Sequence, residues 1–186
     1  MRSSVFLSLY CRKFRPLAAW ALVLALSLVL PACGIYSFNG ASIAPDVKTI
    51  AIANFYNEAA GGPVNMSQIL TERLKEYFQQ NSSLKISNGE ADLQLQGSIV
   101  GYVLSPVAPT AQQPGEFDQA ALNRLTIRVK AKFVNNKDEE QNFDQEFTFY
   151  RDFPQNQSLS DVEGQLVPII LDQLVLDIFN RSVANW

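Results

Sequence analysis

The chain has 186 residues, with 15 basic residues, 18 acidic residues and no histidine. Without histidine the chain lacks the commonest general base and most zinc sites, which disfavours the usual hydrolases and metalloenzymes. The negative balance disfavours nucleic-acid binding, because proteins with that function cluster positive charge against the phosphate backbone. We therefore expect a protein that is not an enzyme and needs no metal and no dissociable cofactor.

The first 32 residues are typical of an export signal. Four basic residues precede an apolar run from Leu17 to Leu30, which is the order found in secretory signal peptides. The run is shorter than the roughly 20 residues that span a membrane. It ends at Leu30-Pro31-Ala32-Cys33-Gly34, which resembles a lipobox, where the cysteine is acylated and the preceding peptide is removed. The alternatives are an ordinary signal peptide with a chance cysteine, or a cytoplasmic protein with an apolar N-terminal helix.

We interpret residues 1–32 as a signal peptide, 33–46 as a lipidated tether and 47–186 as a single domain. Removal of the signal would leave 11 basic and 18 acidic residues. Cys33 would then be the only cysteine, so no disulfide forms within one mature chain.

The mature chain reads as strands and helices in the order β-α-β-β-β-α. Apolar residues recur at helical spacing in two segments, and they alternate with polar residues in the strands. A Ser-x-x-Glu pattern at Ser160 predicts a capping box, and Pro168 predicts either a kink in the last helix or a start just before it. The predicted segments are strand 47–55, helix 64–79, a short strand at 84–86, strand 91–104 with a bulge near its glycines, strands 125–133 and 143–153, and helix 160–180. We expect an α+β two-layer sandwich, with a mostly antiparallel sheet of about four strands and two helices on one face.

Three features are candidates for function. The first is a basic row on the polar face of one strand, comprising Arg124, Arg128, Lys130 and Lys132, which would meet the phosphates or carboxylates of an anionic ligand. The alternative is a solvated face whose charge is balanced by Glu146 and Asp152 across a hairpin.

The other two candidates are loops. Residues 105–115 contain three prolines and either order on a partner or form an idle connection. An acidic hairpin tip at 138–140 is either a weak cation site or, as we favour, a solvated turn, because its spacing fits no calcium loop.

Several stretches of the chain carry a further signal. They are Cys33-Gly34-Ile35-Tyr36-Ser37-Phe38-Asn39-Gly40, Pro45-Asp46-Val47-Lys48-Thr49-Ile50, Asn123-Arg124-Leu125-Thr126-Ile127, Asp177-Ile178-Phe179-Asn180 and the terminal Trp186. Together they resemble the LptE family of lipopolysaccharide-assembly lipoproteins, in particular its Bacteroidetes branch. The resemblance covers nearly the whole mature chain and includes no catalytic motif.

The resemblance implies a lipoprotein with acyl chains (palmitate among them) and diacylglycerol on Cys33, held in the inner leaflet of the outer membrane and facing the periplasm. It implies that the domain plugs the lumen of the LptD β-barrel, assists barrel assembly and contacts lipopolysaccharide. The alternative is a free-standing periplasmic carrier that binds lipid or glycan.

Overall fold

Two helices and one mixed sheet form the part of the chain that the computed structural model describes, which is residues 43–107 and 121–183. The expected signal peptide, Cys33 and residues 108–115 of the proline-rich loop lie outside those residues.

The described elements follow the predicted order, with the short strand predicted at 84–86 present and one further short strand, at 56–57, added. Strand β4 is longer than predicted and extends to Val107, and helix α2 extends to Val183. The elements are β1 (Thr49–Ile52), β2 (Tyr56–Asn57), α1 (Met66–Asn81), β3 (Lys85–Ile86), β4 (Leu93–Val107), β5 (Leu122–Asn135), a 3₁₀ turn (Glu139–Gln141), β6 (Phe143–Pro154) and α2 (Leu159–Val183).

The prediction of about four mostly antiparallel strands is wrong in number and in direction. The described sheet has six strands in the order β3-β1-β4-β5-β6, with β2 beside β4. Strand β1 is parallel to both of its neighbours, and β2 is parallel to β4. The two long ladders, β4 with β5 and β5 with β6, are antiparallel as expected. The parallel pairs arise because α1 carries the chain back across the sheet between β1 and β3.

One face of the sheet is buried against both helices. The alternating apolar residues of β5 are all fully or nearly fully buried, as the sequence pattern predicts. Phe78 of α1 packs edge to face against Phe179 of α2, with ring centroids 4.9 Å apart. The largest fully buried side chains come from both helices and from the sheet, and include Phe78, Leu70, Leu74, Ile50, Leu93, Leu95, Ile99, Leu125, Ile127, Phe133 and Ile170.

Pro168 lies inside α2, which begins nine residues earlier at Leu159. The expected start just before Pro168 is therefore wrong. The Pro168 carbonyl accepts a hydrogen bond of 2.9 Å from the Arg73 guanidinium, which also pairs with Asp172. This arginine of α1 is thus tied to the middle of α2.

A β-bulge in β4 confirms the expectation drawn from its glycines. The β4–β5 register shifts between Ile99 and Gly101. The shift turns Tyr102 onto the buried face, opposite Ile127, where its hydroxyl donates a hydrogen bond to Glu163. Glu163 therefore accepts this hydrogen bond from Tyr102 and does not form the capping box predicted for it. Burial and this hydrogen bond raise the pKa of Tyr102 well above its ordinary value.

Two glycines provide a matched test of the packing. A methyl group on Gly97 would lie 2.2 Å from the backbone oxygen of Lys130, whereas one on Gly164 would meet nothing within 4 Å. We expect Gly97→Ala to destabilise the protein by about 1–3 kcal/mol because β4 and β5 must separate. We expect Gly164→Ala, in the exposed helix, to stabilise it by about 0.5–1 kcal/mol. Urea unfolding of both variants measures the difference, and equal stabilities would contradict the close approach at Gly97.

Candidate functional site

The polar face of the sheet carries the predicted basic row. Side chains alternate across a strand, so the burial of the apolar residues of β5 directs the residues between them away from the helices. The two lysines of the row are exposed and the two arginines are half-buried. The structure therefore places Arg124, Arg128, Lys130 and Lys132 on one face, which we call the charged face.

Strand β6 sets a row of acidic residues beside the basic one. Arg124 makes two hydrogen bonds to Asp152, of 2.7 and 2.8 Å. Arg128 contacts Glu146 at 3.2 Å. The balance of charge across the hairpin that we gave as the alternative is thus observed for both of the acidic residues it named.

The third acidic partner, Asp144, was missed from the sequence. Its carboxylate lies 3.4 Å from the Lys130 ammonium, although Lys132 is the residue directly opposite it in the register. The long lysine side chain reaches diagonally, which strand alternation alone does not show. The register of the hairpin could have identified the position, because Asp144 continues the row of Glu146.

The Arg124 end of the row is the most firmly held. The guanidinium lies 3.6 Å from the centroid of the Tyr150 ring, in cation–π contact, and it binds Asp152 with two parallel hydrogen bonds. These bonds lower the pKa of Asp152 and raise the pKa of Arg124. An incoming anion would have to displace a carboxylate from this arginine.

Arg128 is positioned by the bulge. A methyl group on Gly101 would lie 2.5 Å from Nε of Arg128, so the guanidinium lies directly over this glycine. Gly101 pairs with Arg128 only because the extra residue, Val100, shifts the register of β4. The sequence indicated a bulge but not the contact with Arg128.

The lysine end of the row is more open. Lys130 and Lys132 line a shallow hollow of about 230 Å³ together with Glu58, Asp144 and Tyr56, of which Tyr56 is 69% exposed. Lys130 has 55% of its side chain exposed. Lys132 makes no ion pair with any residue in the described ranges. Lys132 is therefore the cation of the row that is most accessible to an external anion, which would also lie near the carboxylates of Glu58 and Asp144.

The remaining candidates do not form a site in the described ranges. Asp138 accepts hydrogen bonds from the Glu140 amide and from Gln141, which fits the solvated turn that we favoured. No group of three metal-ligating side chains occurs within residues 43–107 and 121–183. Of the proline-rich loop only residues 105–107 are described, and they extend β4.

A second hollow, of about 580 Å³, lies beside β1. Its lining includes Lys75, Glu90, Gln94 and Gln96 and is largely polar. Neither helix in the described residues is long and apolar enough to cross a membrane. The described residues thus form a two-layer domain of the α+β class with an open charged face.

The model of one protein family, LptE (lipopolysaccharide-assembly), matches residues 47–182. The chain therefore belongs to the LptE family, whose members are non-enzymatic lipoproteins of lipopolysaccharide assembly. The matched region contains all the strands and nearly all of α2. A comparison with curated proteins gives no match.

The chain is also similar to solved structures of low sequence identity. A minor lipoprotein from Acinetobacter baumannii is 16% identical over 73% of this chain and 91% of its own, with a TM-score of 0.46. The rare lipoprotein B from Shewanella oneidensis is 12% identical over 72% of this chain and 89% of its own, with a TM-score of 0.42. At these values the similarity carries no argument about function.

The Arg124–Asp152 pair gives a titration test. Because folding lowers the pKa of Asp152 below its ordinary 3.8, the pair stabilises the fold above that pH, and the contribution is lost as the pH falls through the folded pKa. We expect Arg124→Gln to raise the pKa of Asp152 toward 3.8, measured by NMR of its carboxyl carbon. Arg128→Gln is the control and should leave this pKa unchanged. The same pKa in the Arg124 variant as in the wild type would contradict the assigned cause.

Proposed function

We propose that this chain is a lipid-anchored plug and assembly factor for an LptD-type β-barrel, which helps deliver lipopolysaccharide to the cell surface. The observation that carries the proposal is the family match over residues 47–182. In this proposal the protein is attached to the inner leaflet of the outer membrane, and its domain lies in the barrel lumen.

The N-terminal sequence supports the anchor. Acylation of Cys33 would stabilise membrane association by about 0.8 kcal/mol per buried methylene, and stable attachment takes more than one chain. Residues 33–46 would reach at most about 45 Å when extended. That reach allows the domain to enter a barrel while its lipid stays in the leaflet.

The charged face supports a position in a lumen. The interior of a membrane-spanning barrel is polar, whereas its outside is apolar. Three ion pairs between β5 and β6 are spread along the charged face. Such a surface suits contact with a hydrated polar wall and not with lipid. Within the residues that the structure describes, the buried face of the same sheet is packed against the two helices, which favours a plug over a carrier with a lipid cavity at this position.

The basic row supports a contact with anionic lipid, and the geometry ranks its members. Arg124 is held by two hydrogen bonds and an aromatic ring, and Arg128 by one carboxylate. The lysine end is more exposed and less constrained. We therefore propose that Lys130 and Lys132 meet the phosphates of lipopolysaccharide first.

This ranking is tested by binding of purified lipopolysaccharide to single variants. We expect Lys132→Ala to weaken binding several-fold, with a reduced dependence on salt, because an exposed cation is lost. Arg124→Ala should change binding less and stability more. Lys85→Ala, an exposed lysine on β3, is the matched control. The ranking would be wrong if the Arg124 variant lost more affinity than the Lys132 variant.

The anchor is tested by Cys33→Ala. We expect this variant to leave the membrane fraction for the soluble periplasmic fraction, because no acyl chain would attach. Fractionation and mass spectrometry of the mature N-terminus measure both effects. An unchanged, unacylated N-terminus in the wild-type protein would contradict the anchor.

The partner is tested by isolating the tagged wild-type protein from detergent-solubilised outer membranes. A large β-barrel recovered at near one-to-one stoichiometry is the expected result. Recovery of the protein alone, or with lipid only, would overturn the plug and favour the carrier.

A further inference from the structure

Strand β6 is a long, regular and open edge of the sheet. It pairs with β5 over 12 residues, with no register shift and with no strand described on its other side. The opposite edge strand, β3, is only two residues long. Natural sheets blunt such edges with bulges, prolines or short strands. Within β6 the only proline is the final residue, Pro154.

The ladder shows which backbone groups face the open side. In an antiparallel pair, residues alternate between those that bond across the pair and those that point away. Gln155 donates its N–H to the carbonyl of Ala121, which continues the register in which Leu122 pairs with Pro154. Odd-numbered residues of β6 therefore bond to β5. The even-numbered residues direct their N–H and C=O groups outward.

The outward set comprises the five even-numbered residues from Asp144 to Asp152, both included. No hydrogen bond from any part of residues 43–107 and 121–183 reaches their backbone groups. Such a row of unpaired groups is a template on which an extended chain adds as a further strand.

The side chains of the edge specify the chemistry of that chain. On the charged face the outward residues include Asp144, Glu146 and Asp152 and no cation. Asp144 and Glu146 remain 49% and 43% exposed while paired to β5. On the other face lie Phe147 and the half-buried Phe149, together with the exposed Arg151. The edge thus fits a strand with basic residues on the charged side and apolar residues on the other side near Phe147 and Phe149.

Two of the antiparallel registers that a second copy of this chain could adopt at the edge bring like charges together. Antiparallel pairing of two β6 strands centred on Thr148 would set Asp144 of each copy against Asp152 of the other. A register centred on Glu146 would set that residue against itself. Like charges directly opposite each other destabilise a strand pair.

We propose that the β6 edge accepts an extended, alternately basic and apolar segment of the barrel partner as an added strand. The identity of the partner rests on the proposed function. The position and polarity of the contact rest on the free backbone groups and the acidic row of β6.

The test uses the full-length lipoprotein, alone and in its detergent-solubilised complex with the barrel. Thr148→Pro removes one outward N–H, and an edge strand tolerates proline where the N–H faces solvent. Thr148→Ala keeps that N–H and is the matched control. Affinity for the barrel is measured for both variants, and hydrogen exchange of the β6 amides is measured in the wild type.

We expect the complex to slow exchange of the even-numbered amides between Asp144 and Asp152 by at least about tenfold. Thr148→Pro should weaken the complex by about tenfold and Thr148→Ala by less than about twofold. A complex without this protection, or one that Thr148→Pro binds as tightly as the wild type does, overturns the edge pairing alone. Failure to recover any barrel with the wild type overturns both the pairing and the proposed function. The wild-type exchange decides the question even where the proline variant does not fold.

Discussion

The architecture depends on burying one face of a strongly alternating sheet. Strand β5 lies between β4 and β6, and its buried residues from Leu125 to Phe133 contact the helix layer. Because the side-chain period of a strand is two, a slip of one residue would exchange the two faces completely. Such a slip would put four cations into the core and expose the apolar row. The register of β5 is therefore held by the core, and the charged face follows from it.

The bulge at Val100 extends this constraint to the helix layer. By inserting one residue, β4 turns Tyr102 toward the helices, where it meets Glu163 of α2. The same shift brings Gly101 opposite Arg128, and a methyl group at this glycine would displace the guanidinium from its present position. One irregularity thus fixes both a contact between the layers and the position of a cation on the charged face.

The sequence predicted the features that repeat and missed those that do not. The alternation in β5 and the apolar stripe of α1 are long enough to identify, and both are confirmed. The stripe predicted for α2 is confirmed except at Ile169, which is 42% exposed. Strand β2 has two residues, too few for any periodicity to appear, whereas the equally short β3 lies at the predicted segment 84–86. The parallel direction of β1 depends on where α1 returns the chain, which no local pattern encodes.

The candidate site follows the same division. Placing the four cations on one face required only alternation, and the structure confirms their placement. Ranking them required side-chain detail, because Lys130 reaches diagonally to Asp144 and Arg124 stacks on Tyr150. The sequence alone gave no reason to treat the two ends of the row differently.

That difference between the ends has a physical consequence if the domain enters a barrel lumen, as we propose. Moving charges away from bulk water is unfavourable unless each charge is already paired. At the arginine end of the charged face both cations are already paired with carboxylates, so confinement there leaves little charge uncompensated. Lys132 has no ion-pair partner in the described part of the chain, and Lys130 has only a 3.4 Å contact with Asp144. At that end an external anion gains the most by binding, and its attraction strengthens as water is excluded. A face with one self-compensated end and one open end can therefore lie against a polar wall while it keeps a place for an anionic ligand.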